Sequence, residues 1–200
     1  SFFIVLTILS KNSKLIIRNV NVNESRIGII KILKMMSCKI ILKNKKIYKG
    51  EKIADIFIKS SKVLKPINCP PSLNSSAIDE LLLIFLVAGI KTKGISRFYQ
   101  LGELNKKESP RLNIAIKFLR MIGIKVSRYN DNIKIYGNPK INLNGNYHIK
   151  NFLKDHRIFM MSCVAALTLG GKWKINDKDS IKTSFPKFLN ILKDLGAKIN

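Results

Sequence analysis
The sequence predicts an α/β domain of the mixed α+β kind, in which repeated units surround buried central helices and place amphipathic helices and sheets outside. Three observations predict it. The stretches LKMMSCKI (Leu33–Ile40), LRMIGIKV (Leu119–Val126) and LKDLGAKI (Leu192–Ile199) are similar helix-to-strand exits. They recur at roughly eighty-residue intervals, too long for an ordinary solenoid. Two segments, at 79–89 and 156–169, are apolar on nearly every side, as helices at the centre of a domain are. Three α/β units in one chain imply a pseudo-threefold arrangement.

Each element follows from local pattern. Residues 2–9 (FFIVLTIL) read as a buried helix, with a strand as the alternative for so short a run. Residues 14–20 are strand-like. Residues 26–36 carry Ile27, Ile30, Leu33 and Met36 at helical spacing. Residues 39–42 and 53–59 read as strands, and Pro66, Pro70 and Pro71 mark a loop. The apolar helix at 79–89 is expected to be entered from Ser75-Ser76, and a strand is expected at 94–101. Ser109-Pro110 is expected to open a helix over 112–122, with Ser as cap and Pro in the first turn. Residues 125–128 and 133–136 form a predicted hairpin around Asn130-Asp131-Asn132. Residues 138–150 read as a polar connection. A third apolar helix at 156–169 is stopped by Gly170-Gly171, followed by a strand at 173–176 and an amphipathic helix at 185–195.

Composition narrows the function classes. An apolar fraction of 46% excludes a disordered chain. The first residues, SFFIVLTIL, have no Met and lie inside an apolar run, as if cut from a longer protein. That run is too short to span a bilayer, and no basic region precedes it, so a cytoplasmic protein without a membrane partner is expected. The net charge of +25 invites a nucleic-acid reading. Lys greatly outnumbers Arg, however, and is spread along the chain with Ile and Asn, which fits a codon bias better than a binding stripe. No nucleic-acid partner is therefore expected, although such a surface still favours small anions. Cys38, Cys69 and Cys163 are odd in number and form no C-x-x-C, and His148 and His156 lack ligand spacing. Neither disulfides, a metal nor a cofactor is expected.

Three loops concentrate chemistry. GELNKKESPRL (Gly102–Leu112) places Lys106, Lys107, Glu108 and Arg111 before a helix start, where unpaired N–H groups and the dipole favour anions. A carboxylate among cations there suits work on a phosphorylated substrate; the plain alternative is a solvated charged loop. Asp79-Glu80 begins an otherwise apolar helix, and Asp155-His156-Arg157 begins another. Acids at helix starts are ordinarily caps. Arg157 at the edge of a buried helix needs an anion, either Asp155 or a ligand.

Together these segments resemble the 5-enolpyruvylshikimate-3-phosphate (EPSP) synthase family. AIDELLLIFLVA is similar to its I-D-E-L-P helix, GELNKKESPRL to R-x-K-E-S-D-R-L, KDHRIFM to G-D-H-R-I-A-M, TSFPKFLNIL to T-S-F-P-x-F, and NESRIGII to N-P-T-R-x-G. The resemblance spans essentially the whole chain. It implies an enolpyruvyl transferase-like domain of repeated βαβαββ units, with residues 1–200 as the C-terminal part of a two-domain enzyme, monomeric when full length. It implies transfer of the enolpyruvyl group of phosphoenolpyruvate to the 5-hydroxyl of shikimate 3-phosphate, without metal or cofactor. By motif position Asp79 would hold and deprotonate that hydroxyl, and Glu108 would protonate the methylene carbon. Lys107 would touch shikimate 3-phosphate, Arg111 and Arg157 would clamp phosphoenolpyruvate, and His156 would shape the pocket. Lys182 lies one residue out of register with another phosphoenolpyruvate contact of the family. Pro110, Asn105, Lys154 and Phe159 depart from the family's Asp, Arg, Gly and Ala. The rivals are the related UDP-N-acetylglucosamine enolpyruvyl transferase and, from another class, a basic nucleic-acid-binding module.

Overall fold
The structure, a computed structural model, describes residues 1–199. Its first unit runs α1 (Phe2–Leu9), β1 (Lys14–Asn21), α2 (Gly28–Met35), β2 (Lys39–Tyr48) and β3 (Glu51–Lys59). The second runs α3 (Asn74–Ala77), α4 (Leu81–Lys91), β4 (Gly94–Phe98), α5 (Arg111–Met121), β5 (Val126–Tyr129) and β6 (Asn132–Gly137). The third runs β7 (Leu143–Ile149), α6 (His156–Leu169), β8 (Gly170–Ile175) and α7 (Phe188–Asp194).

The units share a wiring. The first two sheets have the orders β1-β3-β2 and β4-β6-β5, with the last strand in the middle and antiparallel to both neighbours. In the third, β7 pairs with β8 in parallel. Isolated parallel bridges from Leu64 to Thr92 and from Asn68 to Arg97 lay the segment before α3 beside β4, as β7 lies beside β8. The second unit thus follows a βαβαββ order in which these two isolated bridges stand in the place of the first strand.

The repeated sequence exits have one physical meaning. Each is a helix stop whose last turn is closed by a residue in the left-handed region: Ser37, Gly123 and Gly196, at φ 68°, 86° and 94°. The next N–H reaches back five residues, from Cys38 to Leu33, Ile124 to Leu119 and Ala197 to Leu192, each at 2.9 Å. This is the Schellman stop, which satisfies orphan carbonyls and turns the chain into the next segment.

Helices α1, α4 and α6 pack on one another at the centre. Every residue from Leu81 to Ile90 is buried, so the all-round apolarity of α4 is that of a core helix. Among the described residues no single helix is long and apolar enough to cross a membrane. The sheets cover this centre with one face: Ala54, Ile56 and Ile58 of β3 are buried, while Ile16 and Ile41 on the other face are exposed.

Four expectations need correction. The helix expected at 79–89 is α4, which begins two residues later, at Leu81, because the chain bends by 117° between α3 and α4. The strand expected at 94–101 stops at Phe98. The polar connection at 138–150 contains β7, whose alternating pattern has few apolar residues because only one side of it meets the core. Finally, Pro110 and not Ser109 occupies the cap position of α5, and Ser109 faces inward instead.

Candidate active site
The amino ends of the three central helices converge. Ser1, before α1, lies 3.5 Å from Glu80, and Arg157 in the first turn of α6 lies 3.3 Å from the same carboxylate. Glu80 itself precedes α4. Three helix dipoles therefore point their positive ends at one rim, which favours an anion there.

Asp155 organises the rim. Its Oδ1 caps α6, accepting from the backbone N–H of Arg157 at 2.9 Å and of Ile158 at 3.4 Å. Its Oδ2 accepts from Arg111 Nε at 2.9 Å and from the Ser109 hydroxyl at 2.7 Å. One carboxylate thus ties the start of α5 to the start of α6. Arg111 is 1% exposed. Its Nη1 donates to Asp79 Oδ1 at 3.0 Å and its Nη2 to Glu108. Burial works against both charges. The hydrogen bonds to Asp155, with Glu108 and Asp79 close by, outweigh it and hold the Arg111 pKa above its ordinary value. For Asp155 burial likewise pushes upward, but the hydrogen bonds from Arg111 and Ser109 prevail and keep its pKa low.

The turn that breaks α3 from α4 has a local use. It takes the Asp79 carbonyl out of the helical ladder and offers it to Arg157 Nη1 at 3.1 Å. The Arg157 guanidinium also lies 3.5 Å from Asp79 Oδ2. Its carboxylate partners within the chain are therefore Asp79 and Glu80; the Asp155 side chain, one of the two anions the sequence offered, is taken by Arg111. Lys107 pairs with Glu103 at 3.0 Å, and His156 is half-buried in the first turn of α6. The side chains of Asp79 and Glu108 are 40% and 55% exposed, so both carboxylates face the open side of the rim.

The structure thus brings Asp79, Glu108, Arg111 and Arg157 together from three separate loops. Lys182 sits apart from this network, exposed and paired with Asp179 at 3.1 Å. Of the departures, Lys154 takes φ 55°, a conformation that favours Gly. Phe159 is buried beside a groove between α6, β8 and α7 that it shares with Trp173 and Leu189. Sequence reasoning missed the inward-facing Ser109 and, in offering Asp155 or a ligand as the anion of Arg157, did not reach the Arg111–Asp155 pair. The signal went only part of the way: an arginine heading an amphipathic helix with Leu112, Ala115 and Ile116 on its inner face needs an internal counter-charge, but nothing local says which acid supplies it.

A family model described as EPSP synthase (3-phosphoshikimate 1-carboxyvinyltransferase) matches residues 1–192. A 3-phosphoshikimate 1-carboxyvinyltransferase of Ruthia magnifica subsp. Calyptogena magnifica is 37% identical over 204 residues, covering 100% of this chain and 45% of the relative. One from Petrotoga mobilis is 33% identical over 195 residues, covering 98% and 44%. Among solved structures, an EPSP synthase from Acinetobacter baumannii superposes with a TM-score of 0.90 at 31% identity, over 100% of this chain and 45% of that one. The enolpyruvyl transferase NikO from Streptomyces tendae shares the fold, at TM-score 0.70 and 14% identity, over 100% and 42%. The chain spans less than half the length of the curated relatives it matches.

Proposed function
The chain belongs to the EPSP synthase (3-phosphoshikimate 1-carboxyvinyltransferase) family, and we propose from this premise that it is the C-terminal domain of a two-domain enzyme. That enzyme transfers the enolpyruvyl group of phosphoenolpyruvate to the 5-hydroxyl of shikimate 3-phosphate. The hydroxyl oxygen bonds to C2 of phosphoenolpyruvate as its proton passes to a base and C3 gains a proton. The resulting tetrahedral adduct then expels phosphate and gives up a C3 proton, leaving the enol ether. Two proton carriers and a cationic cradle suffice for this sequence.

The observation that carries the reading is the pair of exposed carboxylates, Asp79 and Glu108, held by opposite nitrogens of one buried guanidinium. Asp79 takes the hydroxyl proton, and Glu108 serves the methylene carbon. Arg157, at the positive ends of the helices, holds the phosphate or carboxylate of phosphoenolpyruvate with His156 beside it. Lys107 moves from Glu103 to the shikimate phosphate. Arg111 has a mixed part: with three carboxylates around it, a clamp on phosphoenolpyruvate requires Asp79 or Glu108 to release it as substrate binds. The other domain closes the open rim. In this reading the full-length enzyme is a cytoplasmic monomer.

The test is phosphate release from phosphoenolpyruvate. Protein carrying this chain together with its second domain releases phosphate only when shikimate 3-phosphate is present, and the isolated chain releases none. Turnover by the isolated chain would overturn the division of the site between domains. Two-domain protein that is inert with both substrates would overturn the function.

A further inference from the structure
Helices α1 and α4 lead away from the rim, and α4 ends about 16 Å from its start. At their far ends, Ser10–Asn12 and Lys91 border a recess of about 670 Å³. Its walls carry Lys11, Lys14, Lys59, Lys62 and Lys91, together with serine hydroxyls and Asn12, and no acidic residue. The chain is lysine-rich throughout, so lysine alone carries no weight. What singles out this recess is convergence: five lysines border one concavity whose walls hold no acid. Among the described residues none of these five ammonium groups has a carboxylate within ion-pair distance.

The sheet aggravates the crowding. Lys59 lies directly opposite Lys14 on one neighbouring strand and Lys39 on the other. Directly opposed residues share a face, and like charges so placed repel. The negative ends of α1 and α4 account for Lys11 and Lys91, but not for Lys14, Lys59 or Lys62. Burial first, and then the charge of Lys11, lower the Lys91 pKa. The frame is fixed: Ser13 N donates to Ser60 Oγ at 2.9 Å, Ser60 N to Ser13 O at 2.8 Å, and Leu64 N to the Lys91 carbonyl at 2.7 Å.

We propose that this recess binds a small, multiply charged phosphate chain of the polyphosphate or nucleoside-triphosphate type. Several ammonium groups on a fixed frame suit several phosphates, and the volume is that of a small-molecule site and not of a nucleic-acid groove. The proposal does not depend on the reaction assigned to the opposite end.

Calorimetric titration of the chain with sodium tripolyphosphate at fixed ionic strength tests it. The expected result is saturable one-to-one binding, weakened at least tenfold by Lys14→Gln with Lys59→Gln. Lys45→Gln with Lys46→Gln, which removes the same charge elsewhere, changes it less than twofold. Should the first pair unfold the chain by circular dichroism, Lys11→Gln with Lys62→Gln replaces it with the same expectation. Equal weakening by both pairs, unchanged binding in the recess variants, or no saturable binding overturns the proposal. So does tighter binding of a single-stranded oligonucleotide through the same lysines, which would make the recess part of a nucleic-acid surface.

Discussion

Arg111 is a buried cation with three carboxylate partners, and Asp155 is the one it shares with no solvent. Removing one partner of a buried pair strands the other charge, at about 3–5 kcal/mol. Asp155→Asn is therefore expected to lower unfolding stability by that amount in urea titrations at neutral pH. The pH dependence has a definite sign. The carboxyl is held below its ordinary value of 3.8, so its stabilising contribution is complete above that pH and disappears as pH falls through the lower folded pKa. Urea midpoints measured from pH 5 to pH 2 should fall in the parent chain and lose part of that fall in Asp155→Asn. The cysteines give a separate check. Burial pushes Cys38 and Cys163 up to about 12 and Cys69 to about 11. A buried, protonated thiol is a poor nucleophile, so iodoacetamide at pH 7.5 should label the native chain far more slowly than the urea-unfolded chain. Labelling at equal rates would contradict the packing around all three.

At the scale of elements, the three helix stops explain why the internal repeat was legible at all. A left-handed stop demands a particular residue at a particular place, so LRMIGIKV and LKDLGAKI share a Gly that LKMMSCKI replaces with Ser37. A Cβ in that region is strained, by about 1–2 kcal/mol. Ser37→Gly should accordingly raise thermal stability by up to about 1 kcal/mol, read from the melting temperature, once the greater freedom of unfolded Gly is subtracted. The opposite holds at Gly28, where α2 meets α3. A Cβ there would lie 2.4 Å from the Ser76 carbonyl oxygen, which is backbone and cannot swing aside. Gly28→Ala should destabilise by about 1–3 kcal/mol in the same measurement. Periodicity revealed α1 and α6 to the residue because their apolar runs end at Ser10 and Gly170. It started α4 two residues early, at Asp79, because the turn over residues 78–80 contains no Gly or Pro; tertiary partners, not local propensity, shape that turn. It missed β7 because a strand with one wetted face and a Gly in it resembles a loop.

At the scale of the molecule, three repeats place three central helices side by side with their amino ends together. The repeats, the buried helices and the loops bearing Asp79, Glu108, Arg111 and Arg157 were all readable from the chain, since each leaves a local pattern. The partnership of Arg111 with Asp155 was not, because a contact between residues 44 apart leaves none. The central claim is that those four side chains form one working rim. The most direct test is phosphate release from phosphoenolpyruvate, dependent on shikimate 3-phosphate, by the two-domain protein and by Asp79→Asn, Glu108→Gln and Arg157→Gln, each checked for folding by circular dichroism. Loss of one proton carrier or one oxyanion partner typically lowers turnover about 10²–10³-fold. The account predicts a loss of that size for each variant, and three folded variants that turn over at the parent rate would contradict it.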